Sequence, residues 1–216
     1  MANYQFSKNI DNNSGEVEAN DTAFRTNKGL DRALARYNQT HRSAISVGYE
    51  LPFGKGKHWL SKGGVVSYAL GSWQIQSIAS LLSGFPLTPT STNVCNCGSF
   101  VPQRVNSVKP GFGNINNPTV DHWFDPTAFA LPAVGFQGNA GRNVVIAPPV
   151  RNLDFSILKN FPINERFRLQ YRGEFFDVLN HPNFGPPDMN ITNKTAGVIS
   201  TAYDGRSIQM GLRLSF

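Results

Sequence analysis

The chain ends with Arg206-Ser-Ile-Gln-Met-Gly-Leu-Arg-Leu-Ser-Phe216, in which apolar residues occupy every second position from Ile208 onward. A two-residue period is typical of a β-strand. A final strand with one apolar row and a terminal aromatic residue is typical of outer-membrane β-barrels, where that row faces lipid. A half-buried strand of a soluble β-sandwich would show the same alternation, so the rest of the chain must separate the two. The predicted barrel-closing and assembly row is Ile208, Met210, Leu212, Leu214 and Phe216.

Length and composition allow a single all-β domain. The chain has 216 residues with 20 Gly and 14 Pro, which suits several strands joined by turns. No window approaches the roughly 18 apolar residues of a membrane-spanning helix, which excludes a helical membrane protein. A mean hydropathy of -0.29 is compatible with a barrel, because only alternate residues of a short strand meet lipid. The net charge of +6 is dispersed rather than clustered, so we expect no nucleic acid partner.

The amino-terminal residues predict a strand rather than a targeting segment. Met1-Ala-Asn-Tyr-Gln-Phe has neither a basic region nor an apolar run, so we expect no signal peptide. An outer-membrane destination needs one. The two expectations agree if residues 1–216 are the carboxy-terminal portion of a longer barrel protein.

Five further segments are predicted to be strands, which gives about six in all. They are Ala2–Asn9, His41–Leu51, Val65–Leu82, Arg151–Lys159 and Arg166–Leu179. Charged residues on one face of such a strand require water or ion pairs, as in the polar lumen of a barrel. The predicted lumen-facing residues are Arg42, Glu50, Arg168, Arg172, Glu174 and Arg213.

The connections between these strands differ in length. Those at 10–40, 83–149 and 180–205 are long, whereas those at 52–64 and 160–165 are shorter and fall on the opposite side. Long external loops and short periplasmic turns are typical of outer-membrane barrels. About six strands are fewer than the roughly eight of the smallest closed membrane barrel, so we expect a barrel segment. Aromatic residues near strand ends fit an interfacial girdle: Tyr49, Phe53, Trp59, Trp73, Phe161 and Phe167.

Few residues of the sequence are candidates for a disulfide or a metal site. Cys95 and Cys97 lie in the longest connection, where we expect a disulfide rather than metal binding or free thiols, since no second pair completes a zinc site. The histidines have no ligand spacing, so we predict no metal site; they are His41, His58, His122 and His181.

Two short motifs contain residue types that also occur in catalytic or phosphate-binding sites. The stretch Asp121-His-Trp-Phe-Asp125 holds an acid and a base but no nucleophile at a defined spacing, and we predict no catalytic residue. The stretch Gly138-Asn-Ala-Gly-Arg-Asn143 lacks the Lys-Ser/Thr ending of a phosphate loop, and no helix is predicted after it. We therefore predict no enzyme activity and no cofactor.

Several stretches together resemble the carboxy-terminal barrel of TonB-dependent receptors, in particular the Oar-like group of acidobacterial type. They cover nearly the whole chain in family order: Tyr4-Gln-Phe-Ser-Lys-Asn-Ile-Asp11, Tyr49-Glu-Leu-Pro-Phe-Gly-Lys-Gly-Lys57, Ser83-Gly-Phe-Pro86, Trp123-Phe-Asp-Pro-Thr-Ala-Phe129, Gly138-Asn-Ala-Gly-Arg-Asn143 and Phe175-Phe-Asp-Val-Leu-Asn-His-Pro-Asn-Phe184. The resemblance implies a barrel of roughly 22 strands with a plug domain, preceded by a carboxypeptidase-regulatory-like domain. No stretch of this chain matches the plug or the energy-coupling box.

The sequence thus predicts an all-β fold, an antiparallel transmembrane β-barrel segment with long external loops spanning residues 1–216. Its function would be energy-coupled uptake of a substrate across the outer membrane. Expected partners are outer-membrane lipid, the barrel-assembly machinery, the remaining strands and plug of the parent protein, and through that parent the inner-membrane energy-coupling complex. The alternatives are a soluble, secreted lectin-like sandwich, whose loops would bind the ligand, and a passive porin.

Overall fold

The computed structural model describes residues 1–14, 29–62, 64–92, 103–164 and 166–216. Its main feature is one six-stranded antiparallel sheet in which each strand pairs with the next long strand of the chain. The strands are β1 (Ala2–Phe6), β4 (His41–Glu50), β5 (Trp73–Leu82), β12 (Val150–Pro162), β13 (Arg168–Phe176) and β14 (Ser207–Ser215). The sheet is open, because β1 and β14 form its two edges and do not pair with each other.

Each predicted strand overlaps one strand of this sheet, but several boundaries differ. Strand β1 ends three residues before the predicted Asn9, and β12 continues to Pro162 where a turn was predicted from Asn160. The turn that follows β12 is closed by Asn164, whose side-chain Oδ1 accepts hydrogen bonds from the backbone N–H groups of Arg166 and Phe167 at 3.0 and 2.7 Å. This local acceptor sets the end of the hairpin later than the alternation suggested.

The prediction of one strand over Val65–Leu82 is wrong for its first eight residues. Val65–Leu70 form the helix α1, and β5 begins only at Trp73. Two glycines explain the break: Gly64 has a φ of 100°, and the N–H of Gly71 closes the last turn on the carbonyl of Ser67 at 2.8 Å. In the described part of the chain, no helix has the length and apolar content needed to cross a membrane.

The two longest predicted loops contain paired structure. Short strands join their distant parts, and two 3-10 turns lie between them. The pairs are β2 (Ile10–Asp11) with β3 (Ala33–Leu34), β6 (Pro86–Leu87) with β11 (Val145–Ile146), β7 (Thr90–Ser91) with β8 (Gln103–Arg104), and β9 (Asn106–Ser107) with β10 (Phe129–Ala130); the turns are Pro110–Gly113 and Pro126–Ala128. The described residues therefore contain more strands than the six predicted.

The buried apolar cluster lies in the connection at 83–149 and not in the long strands. Its members are Val105, Phe124, Ala128, Phe129, Ala140 and Val145. Among the described residues of the six long strands, Leu158 is the single large apolar side chain that is buried. A soluble sandwich packs one face of each sheet against a second sheet. In the described ranges no second large sheet is present to pack against this one, so its apolar residues need another environment.

Candidate functional site

The pairing register assigns every strand residue to one of two faces, because residues directly opposite each other in antiparallel strands lie on the same face. Glu50 pairs with Gln74, Gln74 with Leu158, Leu158 with Arg172, and Arg172 with Gly211. The same register carries all six predicted lumen residues onto one face, here called the polar face. They are Arg42, Glu50, Arg168, Arg172, Glu174 and Arg213. That this face lines a barrel lumen stays a prediction.

Three of the charged residues on the polar face, Glu50, Arg172 and Glu174, form ion pairs with near neighbours. Lys57 Nζ lies 2.7 Å from a carboxylate oxygen of Glu50, and Arg172 Nη2 lies 2.6 Å from Glu174 Oε1. The amide of Gln170 donates to Asn160 Oδ1 across the strand pair at 2.9 Å. These are half-exposed contacts, so each adds little stability and suits a water-filled surface.

The opposite face, here called the apolar face, carries the residues of the predicted assembly row. Met210 and Leu212 are 68% and 72% exposed, and they lie opposite Gly173 and Tyr171 of β13. The row continues across the neighbouring strands through Ile157, Phe155, Ile75, Val47 and Ile45. A contiguous apolar surface of this extent requires a partner, and lipid is the partner of the outer face of a membrane barrel.

Aromatic side chains gather at the end of the sheet that carries the two shorter connections. The rings of Phe53 and Trp59 stack with centroids 5.3 Å apart, and Tyr68 of α1 lies 5.9 Å from Phe161. The carboxy-terminal Phe216 lies 6.4 Å from Phe167 at the same end. Aromatic residues at one level of the sheet are typical of a membrane interface.

Lys159 has a structural role that the sequence analysis did not predict. It lies on the apolar face opposite Trp73, yet it is only 2% exposed. Its Nζ donates to three backbone carbonyls of the α1 region, those of Tyr68, Ala69 and Gly71, at 3.0, 2.5 and 2.9 Å. The rings of Trp73 and Phe161 lie 4.7 and 4.9 Å from the ammonium group. Lys159 therefore fixes α1 against the sheet.

Two buried arginines tie the long connections together. Arg142 donates from Nε to the Asp31 carbonyl at 2.9 Å, from Nη1 to Ser14 Oγ at 3.0 Å, and from Nη2 to the backbone and side chain of Asp11. Arg104 Nη2 lies 3.1 Å from Asp31 Oδ1. The stretch at 138–143, which lacks the features of a phosphate loop, thus supplies through Arg142 a buried charge that joins the two long connections.

The stretch from Asp121 to Asp125, for which we predict no catalytic residue, has a structural role in its second half. Phe124 is buried, and Trp123 Nε1 donates to the Ile146 carbonyl at 2.7 Å. Asp125 caps a 3-10 turn. Hydrogen bonds from the Thr127 hydroxyl and from Lys109, opposed by burial and aided by the Thr127 N–H, lower the pKa of Asp125 to about 2.

A second carboxylate organises the connection between β13 and β14. Burial raises the pKa of Asp188, but hydrogen bonds from Asn193, from the Asn190 N–H and from Thr195 outweigh burial, and the pKa is lowered overall. The Asn193 amide and the Thr195 hydroxyl donate to Asp188 Oδ2 at 2.9 and 2.7 Å. Asp188 is therefore an ionised anchor of this connection.

The remaining predictions concern cysteine and histidine. Cys95 and Cys97 lie outside the described residues, so their disulfide stays a prediction. His41 Nδ1 lies 2.8 Å from the Tyr4 hydroxyl, and His58 lies beside Trp59. Within the described ranges, no three His, Cys, Asp or Glu side chains come together as a metal-binding group.

An open antiparallel meander with one polar and one apolar face, whose main buried cluster lies in a connection, fits a segment of an outer-membrane β-barrel protein. The chain belongs to the outer membrane beta barrel domain family, whose model matches residues 1–209. The protein is localised to the outer membrane. No curated protein and no solved structure matches the chain.

Proposed function

We propose that this chain forms part of the barrel of a TonB-dependent receptor that takes up a substrate with energy supplied from the inner membrane. The observation that carries the proposal is the open six-stranded sheet, whose edge strands β1 and β14 have no further partner strand among the described residues. An unpaired edge cannot remain in hydrocarbon, where each free N–H or C=O group is costly. The smallest membrane barrels have about eight strands, so further strands are needed to close this one.

The closed barrel would have roughly 22 strands and a plug, as in the outer-membrane transporters whose lumen is filled. The polar face would line the lumen, and the apolar face would meet lipid. Connections 7–40, 83–149 and 177–206 leave one end of the sheet, and 51–72 and 163–167 leave the other. Since external loops of such barrels are longer than periplasmic turns, the packed connections would face outward and hold the substrate.

The partners that follow are outer-membrane lipid, the other barrel strands and the plug, and the inner-membrane energy-coupling complex. The barrel-assembly machinery would recognise the row from Ile208 to Phe216, which remains exposed along the edge strand β14. The proposal includes no catalytic residue, no cofactor, no metal and no nucleic acid. A soluble lectin-like sandwich would need a second large sheet, and the part of the chain that the structure describes contains one six-stranded sheet beside four two-stranded pairs.

A passive porin differs from a receptor in whether the lumen is open. The test uses the natural outer-membrane product that contains this chain, reconstituted in liposomes. We expect no swelling in an iso-osmotic sugar solution, because a plug blocks the lumen, and we expect in-cell cross-linking to an inner-membrane energy-coupling protein. Rapid swelling without such a cross-link would overturn the receptor proposal in favour of the porin.

A further inference from the structure

The apolar face carries two charged side chains among the residues of the six long strands. Both belong to β12, whose alternation places Arg151 and Lys159 on the same face as Phe155. The register confirms this placement, since Arg151 lies opposite Leu81 and Lys159 lies opposite Trp73. A cation on the lipid side of a barrel is unfavourable at the bilayer midplane and is tolerated near the interfaces. The positive charge of each side chain must therefore be satisfied by polar groups of the protein or of its surroundings.

The two cations differ in how they are satisfied. Lys159 is buried and donates to three backbone carbonyls of the α1 region. Arg151 is exposed, and in the described part of the chain its guanidinium forms no ion pair; its backbone N–H donates to Asn183 Oδ1 at 2.8 Å. The protein thus supplies the partner of one cation and leaves the other open to a ligand.

A groove of about 580 Å³ adjoins Arg151 at the end of the sheet from which the two longest connections leave. Leu81 and Pro149 give it apolar walls, and Ser43 adds a hydroxyl. The Tyr4 hydroxyl and His41 Nδ1 meet at 2.8 Å on its far side, and their rings stack. By the register, Tyr4, His41, Ser43, Leu81 and Arg151 all lie on the apolar face. Leu82 and Val150 also line the groove and lie on the polar face, but five of its seven strand residues lie on the apolar face, which we propose meets lipid.

We propose that this groove binds the phosphate-bearing headgroup of a lipid in the outer leaflet. The planar guanidinium of Arg151 matches phosphate oxygens with paired N–H donors, and the polar atoms of Tyr4, His41 and Ser43 complete the headgroup contacts. The acyl chains lie along Leu81 and the apolar row below it. The leaflet rests on the proposed orientation, in which the long connections face outward.

The test uses the natural product that contains this chain, delipidated in mild detergent and titrated by native mass spectrometry. Three probes separate the ligand sources: phosphatidic acid, diacylglycerol with the same acyl chains, and inorganic phosphate. We expect phosphatidic acid to bind at least roughly tenfold more tightly than diacylglycerol, because a charge-assisted contact is lost without the phosphate. Inorganic phosphate at the same concentration should not displace it. Displacement by inorganic phosphate would overturn the assignment to a lipid.

A matched pair of arginine substitutions tests the residue. Arg42 lies at the same end of the sheet as Arg151, but on the polar face, where it pairs with Leu82 of β5. Arg151→Gln should lower phosphatidic acid affinity roughly tenfold, Arg151→Lys should lose less, and Arg42→Gln should leave the affinity unchanged. Folding of each variant is checked by heat-modifiable gel mobility. Equal losses for Arg151→Gln and Arg42→Gln would show nonspecific attraction and overturn the proposal.

The orientation is tested separately, so that its failure is distinguishable. Val134, 78% exposed in the connection at 83–149, is replaced by Cys in a background where Cys95 and Cys97 are Ser. Labelling of intact cells by an impermeant thiol reagent is expected if this connection is external. No labelling, together with Arg151-dependent binding of phosphatidic acid, would place the groove in the inner leaflet and overturn the outer-leaflet assignment.

Discussion

The six-stranded sheet and its long connections differ in which side chains are buried and which are exposed. In the sheet, large apolar side chains such as Leu212 are exposed, and charged pairs such as Arg172–Glu174 remain half in water. In the connections, Phe124 and Val105 are fully buried, and Arg104 and Arg142 are buried in contact with acidic partners. The connections are packed like a small soluble domain, whereas the sheet depends on its surroundings.

This difference separates two sources of stability. The connections carry their own apolar cluster and ion pairs, so their structure is determined by contacts within the described chain. The sheet obtains its stability from backbone pairing and from the environment of each face, which we propose is lipid on one side and an aqueous lumen on the other. Substitutions in the two regions should therefore be detected by different measurements.

The largest expected effect is that of Arg142→Met in the connections. Methionine keeps much of the side-chain volume but removes all donors to Asp11, Ser14 and Asp31. Breaking a buried ion pair from one side costs about 3–5 kcal/mol. We expect rapid hydrogen exchange and proteolytic cleavage in 103–145, with the barrel still folded on gels.

Arg172→Met is the matched control in the sheet. Its ion pair with Glu174 is half exposed, so its loss should cost less than about 1 kcal/mol and leave exchange in the connections unchanged. If Arg172→Met increased hydrogen exchange in the connections as much as Arg142→Met does, the proposed difference in stability between the two regions would be wrong.

The second-largest expected effect is a difference between substitutions at two neighbouring residues of β14 that lie on opposite faces. Leu212→Arg places a charge in the middle of the apolar face, at a cost of roughly 2–4 kcal/mol in a bilayer. Gly211 lies on the polar face, and an added Cβ would meet no atom within 4 Å. We expect Leu212→Arg to reduce barrel assembly and Gly211→Arg to be tolerated, measured by heat-modifiable mobility in outer-membrane fractions. The reverse result would mean that the faces are assigned the wrong way round.

The sequence was sufficient to predict the long strands, because alternation is a local property that survives in each segment. It failed at Val65–Leu70, where a short apolar run has no clear period and two glycines set the boundaries. The unusual position of Lys159 is visible in the sequence. It shares parity with Phe155 and Ile157, so a charge on the apolar row could have been noticed, but its carbonyl partners could not.

The packed connections could not have been predicted from one sequence in the same way. Arg142 contacts Asp31 across a separation of 111 residues and Asp11 across 131. No local pattern links such residues, and a glycine-rich stretch around an arginine reads as a solvated loop. Gly138 shows the same dependence on distant chain, since an added Cβ would lie 2.2 Å from the backbone of Val105. Such contacts follow from the tertiary fold.

The smallest predicted effect is a pH dependence within the connections, at Asp125. Its carboxylate accepts from the Thr127 N–H and hydroxyl and from Lys109 at 2.9, 2.6 and 2.9 Å. Since these contacts lower its pKa from 3.8 to about 2, the charged form stabilises the fold fully above pH 4. That contribution is lost as pH falls from about 4 toward 2. Removing the cap with Asp125→Ala should cost about 0.5–2 kcal/mol at neutral pH, and Asp125→Asn less.

The measurement is hydrogen exchange of the Thr127 and Ala128 amides, corrected for the intrinsic rate at each pH. The Ala128 N–H donates to the Asp125 carbonyl at 3.1 Å, so its protection reports the closed turn. Asp125→Asn should exchange faster than the native protein above pH 4, and the difference should shrink toward pH 2 as the native carboxylate becomes protonated. Asp121→Asn, at an exposed carboxylate of the same connection, should show no such convergence. A difference that stays constant down to pH 2 would mean that the side-chain oxygen, and not its charge, holds the turn.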